Sequence, residues 1–397
     1  MFPVFWSGTP ASRAAFGKYS ERLAGYKVMR SVRDIGDLVG KKVFVRVDFN
    51  VPTLGNEVAD DFRIRKTLPL INFLRARGAQ VILASHSDPD DSSLAPVCTY
   101  LRKNYPVSFI EEYYPDLPEG LSRDLSAGKL VLLENLRFYP EERSNDEDFA
   151  RHLASLGDYY VNEAFSASHR PHASIIGVPK FLPGFAGFVF EEEMKNLSRA
   201  FHPEYPFLFA LGGAKFETKM PLVRKFFSLA DRVFVGGALA NDFLKAQGKN
   251  VGRSILSEGK LDLKEFFTEK LILPLDVLVK NASGIELKVV DDVTSGDTIV
   301  DVGPQSINAL RSTIDSSRFI LWNGPLGNYE MGFRKGTLSL ARAIAQSKAI
   351  TIVGGGDTVA SIAELKLEDK FTFVSTAGGA MLEYLANETL SGIEALK

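Results

Sequence analysis

A single cysteine, Cys98, in 397 residues leaves no partner for an internal disulfide and makes every paired-cysteine zinc spacing impossible. A reducing compartment is the expectation. Long apolar runs are missing too, since the longest, Phe181 to Phe190, contains a Pro and two Gly and falls far below the roughly 20 residues needed to cross a bilayer. No membrane segment is expected. Charge of one sign is also lacking, with Lys plus Arg at 47 against Asp plus Glu at 49, so the net is 47 − 49 = −2. No surplus is available to hold a nucleic-acid backbone, and any basic site has to be local. With 45% hydrophobic and 24% charged residues the chain is neither disordered nor collagen-like, and its length predicts two or three domains.

Residues 1–27 read differently from the rest, carrying Arg13, Lys18, Arg22 and Lys27 against one acid, Glu21. A cationic, acid-poor leader of this kind is compatible with organellar import. The simpler expectation is a weakly ordered extension of a cytoplasmic protein, ahead of a second Met at Met29. Met1 to Trp6 is too short for a secretory h-region.

From residue 41 onward, short β-branched or aromatic runs alternate with helix-period segments, the pattern of βαβ units and a mostly parallel sheet. The fold class is α/β. Strands are expected at Lys42 to Asn50, Gln80 to His86, Val107 to Glu111, Lys129 to Arg137 and Asp158 to Phe165 in the first half. The second half offers Phe207 to Leu211, Arg232 to Val235, Leu271 to Val279, Thr298 to Val302, Phe319 to Trp322, Ala349 to Val353 and Phe371 to Val374. That is too many for one ordinary sheet, so two doubly wound, Rossmann-like lobes are expected, 28–186 and 187–380. They join near the Pro/Gly-rich Val178 to Gly187 and the helix-like Phe190 to Ala200.

Open parallel sheets bind ligands beyond the carboxyl ends of their strands. In the first half those ends are charged: Asp48 and Asn50, His86, Glu134 with Arg137, Asn162 with Glu163. In the second half they are glycine-rich: Gly212-Gly213-Ala214-Lys215, Gly236-Gly237, Gly303-Pro304, Asn323-Gly324-Pro325, Gly354 to Thr358 and Ala377-Gly378-Gly379. Glycines at strand-to-helix turns let backbone approach a ligand and aim helix N–H groups at it, which suits the phosphates of a nucleotide. Neither G-x-x-x-x-G-K-[ST] nor a G-x-G-x-x-G after a strand occurs, so an ordinary P-loop and a dinucleotide fold are disfavoured.

Read in order, the marked segments are Val45 to Pro52, Asp61 to Arg65, Ser85-His86, Leu132 to Phe138 and His169 to Ser174. They continue as Leu211 to Lys215 with Lys219, Trp322 to Pro325 with Glu330, Gly354 to Thr358, and Ser375 to Gly379. In these motifs, taken jointly and in this order, the chain resembles the phosphoglycerate kinase family from about Val32 to its C-terminus. The resemblance implies two α/β lobes joined by a hinge helix, one for 3-phosphoglycerate or 1,3-bisphosphoglycerate and one for MgADP or MgATP. A segment 381–397 would return to the first lobe. It implies reversible phosphoryl transfer from 1,3-bisphosphoglycerate to ADP in glycolysis and gluconeogenesis, by a monomer whose lobes close on their substrates. The attacking oxygen, on a phosphate or a carboxylate, is already anionic at neutral pH, so no catalytic base is needed. Positioning and charge neutralisation remain, the work of Arg, Lys, a metal ion and helix N-termini.

On that resemblance Arg63 is the guanidinium on the substrate side, and Lys215 the lysine that follows charge from donor to acceptor, with Gly355 and Gly378 beside the transferring group. Asp48, Phe49, Asn50, His86, Arg137 and Arg170 match the sugar-acid site, the two last clamping its non-transferring phosphate. Gly213, Ala214, Lys219, Gly237, Asn323, Pro325, Glu330, Gly356, Asp357 and Thr358 match the nucleotide site, Asp357 holding Mg²⁺. Helix N-capping by Asp357 is compatible with that role. His169 and His172 are expected to position or to pack, and Glu134 to be structural.

The chain also departs from the family. Ser-His usually continues as Leu-Gly-Arg-Pro, whereas Ser85-His86 runs into Ser87-Asp88-Pro89-Asp90-Asp91, so one basic residue of the phosphate clamp is missing. At roughly 1.5 to 3 kcal/mol per charge-assisted contact, about ten- to a hundredfold in affinity, a raised KM for 3-phosphoglycerate is expected. Asn162-Glu163, Ala238 and Ala377 likewise bring side chains to places where backbone usually comes close. The acidic loop motivates one rival reading, a catalytically impaired member with a binding or regulatory role. Nucleic-acid binding has no support in charge or pattern.

Overall fold

The computed structural model describes residues 29–214, 216–258 and 261–397. The extension 1–27 and Lys215 therefore lie outside the described residues. Strands β1 (Lys42–Arg46), β4 (Gln80–Ala84), β5 (Val107–Ile110), β6 (Leu130–Leu133), β7 (Tyr159–Asn162) and β8 (Gly184–Ala186) form one sheet in the order β5-β6-β4-β1-β7-β8. A two-stranded ribbon of β2 (Thr53–Leu54) and β3 (Glu57–Val58) leaves the loop after β1. Every pairing in the large sheet is parallel. Both faces are covered, so the strands read as nearly unbroken apolar runs rather than alternating ones, as Leu130–Leu133, buried throughout, illustrates.

The second sheet, also wholly parallel, runs β11-β10-β9-β15-β16-β17. Its strands are β9 (Phe207–Leu211), β10 (Arg232–Val235), β11 (Leu271–Ile272), β15 (Phe319–Asn323), β16 (Ile350–Gly354) and β17 (Phe373–Val374). Strand order reverses between β9 and β15, and in the first sheet at β1, which lies between β4 and β7. Those switch points are where an open α/β sheet leaves a crevice.

Three sequence expectations need correction. Leu271 to Val279 is not one strand: Pro274 interrupts it, leaving β11 in the parallel sheet and starting β12 (Asp276–Asn281) in a separate antiparallel sheet with β13 (Gly284–Val289) and β14 (Thr298–Val302). Thr298 to Val302 accordingly belongs to that small sheet. The stretch Val178 to Gly187 contains β8, paired with β7 and joined by a bridge from Ser31 to Ala186. Strands β1, β4, β6 and β7 also end earlier than their apolar runs suggest.

The helix Phe188–Leu197 links the two sheets. Buried apolar residues of both halves form one continuous cluster through it, with Phe190 edge-on to Phe165 at 5.2 Å and Tyr384 edge-on to Phe165 at 5.6 Å. The chain's last residues lie on the first half, where Gly392 N–H donates to Ser168 O at 2.8 Å and Leu396 packs at Gly184.

Candidate active site

Beyond the carboxyl end of β1, Asp48 accepts from Arg63 Nη1 at 2.9 Å and from the Ser166 hydroxyl. Arg63 opens the helix Phe62–Ala76. The same guanidinium donates to Asn50 O at 3.1 Å and, from Nη2, to Thr376 O at 3.4 Å in the second half. A small cavity lies here, lined by Asp48, Arg63, Lys66, Ser166 and Thr376 among others. Phe49 turns its ring into the apolar core and gives its N–H to Ser85 Oγ at 2.9 Å.

His86, buried past the end of β4, sits 3.1 Å from Arg46 Nη2 through its Nδ1. A guanidinium can only donate, so Nδ1 accepts and the ring proton is on Nε2. Burial first, then the charges of Arg46, Arg137, Arg63 and His172, hold this imidazole well below its usual pKa. Arg46 is itself fully buried and fixed by bonds to Ser174 Oγ at 2.9 Å and Val47 O at 2.6 Å. Behind it, buried Glu142 accepts from Ser174 N–H at 2.9 Å and Oγ at 2.6 Å. Sequence reasoning assigned no role to Arg46 or Glu142. The available signal was an arginine inside an otherwise apolar strand, because a charge in a doubly covered sheet needs a partner.

Arg137 follows β6, its side chain only 2% exposed. Its Nη1 pairs with Asp88, and with Asp90 at 3.2 Å, while Nε and Nη2 are buried without a hydrogen-bond partner among the described residues. Asn50 holds Asp88 from the other side, Nδ2 donating to its carboxylate and Oδ1 accepting its N–H, each at 3.0 Å. Arg170 instead directs Nε to His169 Nε2 at 3.4 Å, and no hydrogen bond or ion pair among the described residues joins it to Arg137. Gly379 approaches His169, and His172 Nδ1 lies 3.8 Å from Glu142. Glu134 is structural in character, accepting from Leu94 N–H and Asn135 N–H, both at 2.7 Å.

In the second half the turns after β9, β10 and β15 meet backbone to backbone. Gly213 N–H donates to Pro325 O at 2.8 Å, Gly212 N–H to Asn323 O at 2.9 Å, and Leu239 N–H to Gly213 O at 3.0 Å. At Gly237, φ is +64° and a Cβ would stand 2.5 Å from Gly213 N and 2.9 Å from Pro325 O, so no other residue fits. Lys219 is buried and its ammonium bonds Gly212 O. Ala214 and Glu330 are exposed, and Asn323 is buried. Gly355, at φ +102°, precedes the helix Gly356–Glu364, and Gly378 precedes the helix Gly379–Asn387, so two helix N-termini open at the ends of β16 and β17. Thr358 Oγ1 accepts from Gly324 N–H at 3.0 Å, tying the turn after β15 to the first of these helices.

Asp357 stands in the first turn of that helix, and among the described residues its carboxyl has no hydrogen bond or ion pair. Burial and then the neighbouring Glu330 raise its pKa, against the pull of Lys219. A carboxylate left without a partner between an acid and a lysine fits a hard cation that completes its shell with phosphates and water.

The two halves are joined at this level. Buried Glu193, on the linking helix, accepts from Ser375 Oγ and Thr376 N–H, both at 2.7 Å, and Thr376 Oγ1 at 2.9 Å. Ala377 follows with its methyl in the core, so the side chain expected to crowd the ligand packs inward instead. Glu163 is buried too, and its carboxylate accepts from Val189 N–H at 3.0 Å in the first turn of the linking helix.

A family model described as phosphoglycerate kinase matches residues 32–388. The phosphoglycerate kinase of Dictyoglomus turgidum is 41% identical over 392 residues, covering 94% of this chain and 99% of that one. That of Rubrobacter xylanophilus is 43% identical over 386 residues, covering 92% and 98%. Among solved structures, phosphoglycerate kinase from Coxiella burnetii superposes with a TM-score of 0.79 at 34% identity, over 93% of this chain and 99% of that one. The enzyme from Pyrococcus horikoshii gives 0.80 at 28%, over 93% and 98%.

Proposed function

The chain belongs to the phosphoglycerate kinase family, and from that premise we propose that its first lobe holds 3-phosphoglycerate, its second holds ATP or ADP, and Arg63 and Lys215 serve the group passed between them. The reaction is the family's reversible phosphotransfer. A carboxylate oxygen of the sugar acid forms a bond to the γ-phosphorus while the bond to the β-phosphate oxygen breaks, giving ADP and the acyl phosphate. No proton moves, which agrees with a site of cations and amides in which the imidazole of His86 is held neutral.

One observation carries this reading: Arg63, anchored by Asp48 in the cationic lobe, also touches Thr376 beside the glycine-built turns of the other. Its planar fork suits an oxyanion arriving there. His86 offers its Nε2 proton, while Arg137, with Arg170, receives the far phosphate. Gly213, Ala214, Lys219, Gly237, Asn323, Pro325, Gly355, Gly356, Thr358 and Gly378 line the nucleotide and the transferring group, and Glu330 receives a ribose hydroxyl. Asp357 would hold Mg²⁺, which supplies charge neutralisation on the phosphates. The pairing of Arg137 with two aspartates supports a raised KM for 3-phosphoglycerate. Among the described residues no helix is long and apolar enough to cross a membrane. We assign residues 28–186 and 187–380 to the two lobes and 381–397 to the return segment, in a cytoplasmic monomer that closes by hinge bending. A coupled assay with purified chain, MgATP and 3-phosphoglycerate tests the function. Turnover with stoichiometric ADP is expected, and none at saturating substrate would defeat the reading.

A further inference from the structure

The loop Ser87 to Ser92 is not loosely placed. Asn135, fully buried, accepts Ser87 N–H at 3.1 Å and donates from Nδ2 to Ser87 O, Asp90 O and Ser92 O at 3.3, 3.0 and 2.8 Å. So held, the loop sets Asp88 and Asp90 against Arg137, and Asp90 also against Arg143 at 2.5 Å. The two arginines and two aspartates sum to +2 − 2 = 0, so these four groups offer an incoming phosphate no surplus of positive charge and leave that to Arg170 and the neighbouring Arg46. Yet Nε and Nη2 of Arg137 are buried and, among the described residues, unpartnered, a costly arrangement for a guanidinium that points to a further anion.

We propose that Asp88 and Asp90 determine the affinity of the first lobe for its anionic ligand, by occupying Arg137 as built-in carboxylates that the ligand's phosphate has to displace. The inference rests on the sugar-acid reading given above and deepens it. In place of a mere shortage of one cation, the loop supplies a competitor that is always present at the concentration of the site. Displacement exchanges one charge-assisted bond for another, so the net affinity is that of the phosphate less that of the carboxylates. Once they yield, Nη1 joins the already unpartnered Nε and Nη2, and the guanidinium can grip the phosphate through two nitrogens.

Steady-state kinetics on the whole chain, with 3-phosphoglycerate and MgATP varied separately, tests this in Asp88→Asn/Asp90→Asn. The KM for 3-phosphoglycerate is expected to fall about tenfold or more, with the KM for MgATP unmoved. Asp90→Asn alone keeps the Asn50–Asp88 pair and should show a smaller fall, which covers the case of a misfolded double variant. Asp91→Asn, in the same loop but in no ion pair among the described residues, should change neither KM. Inorganic phosphate, titrated calorimetrically, reads the pocket without the reaction, and its affinity should rise in step. Tighter phosphate binding in a chain that never turns over 3-phosphoglycerate would sustain this inference while ending the sugar-acid reading. Unchanged phosphate affinity and unchanged 3-phosphoglycerate KM in the folded variants would overturn it.

Discussion

At the scale of the residue, the first lobe is a set of cations each steadied by a neighbour. His86 shows what that does to chemistry: surrounded by Arg46, Arg137 and Arg63, its imidazole is neutral and its tautomer is set by an arginine that can only donate. Because its pKa lies well below the usual 6.5, the ring carries no charge anywhere between pH 6 and 8. The KM for 3-phosphoglycerate should therefore show no histidine inflection in that range, and His86→Gln should leave the shape of the profile unchanged. An inflection near pH 6.5 that vanished in the variant would contradict the assignment. The sequence displayed Asp48, Asn50, His86 and Arg137 because each follows an apolar run, where a parallel sheet exposes its working ends. Arg46 and Glu142 stayed hidden, since a residue that orients another makes its mark in space and not in spacing.

At the scale of the element, the linking helix and the Ser375-Thr376 turn are fastened through Glu193. Burial raises its carboxyl to about 7, opposed by the hydrogen bonds from Ser375 and Thr376. A carboxyl raised above its unfolded value of about 4.3 stabilises the fold fully below that pH, and the contribution is lost as pH climbs through 7. The melting temperature of the wild type should consequently decline relative to Glu193→Gln between pH 4.5 and 8. Parallel melting profiles would show that Glu193 does not titrate there. Strand positions in both parallel sheets were largely legible, because doubly covered strands must be continuously apolar. The small antiparallel sheet was not. Its strand Gly284–Val289 leaves Ile285, Leu287 and Val289 exposed, so no buried face imposed a pattern, and Pro274 divides a run that looks continuous by hydrophobicity alone.

At the scale of the molecule, two sheets with different carboxyl ends share one buried cluster and each keep another of their own, and the proposed division of chemistry follows the division of ends. On the proposed function, cations with little glycine take up a small polyanion, and glycine with few side chains admits a nucleotide's phosphates to backbone N–H groups. The charged and glycine-rich halves were already visible in the strand-end residues, whereas the contact of Arg63 with Thr376 required the fold, since 313 positions separate them. The central claim is that fixed positive charge from both lobes acts on one transferring phosphoryl group. The kcat of Arg63→Ala and of Lys215→Ala, at saturating MgATP and 3-phosphoglycerate, tests it most directly. Each should fall at least about a hundredfold, roughly 2.7 kcal/mol of transition-state stabilisation, with the KM for MgATP in Arg63→Ala little changed. A kcat close to that of the wild type in either variant would contradict the account.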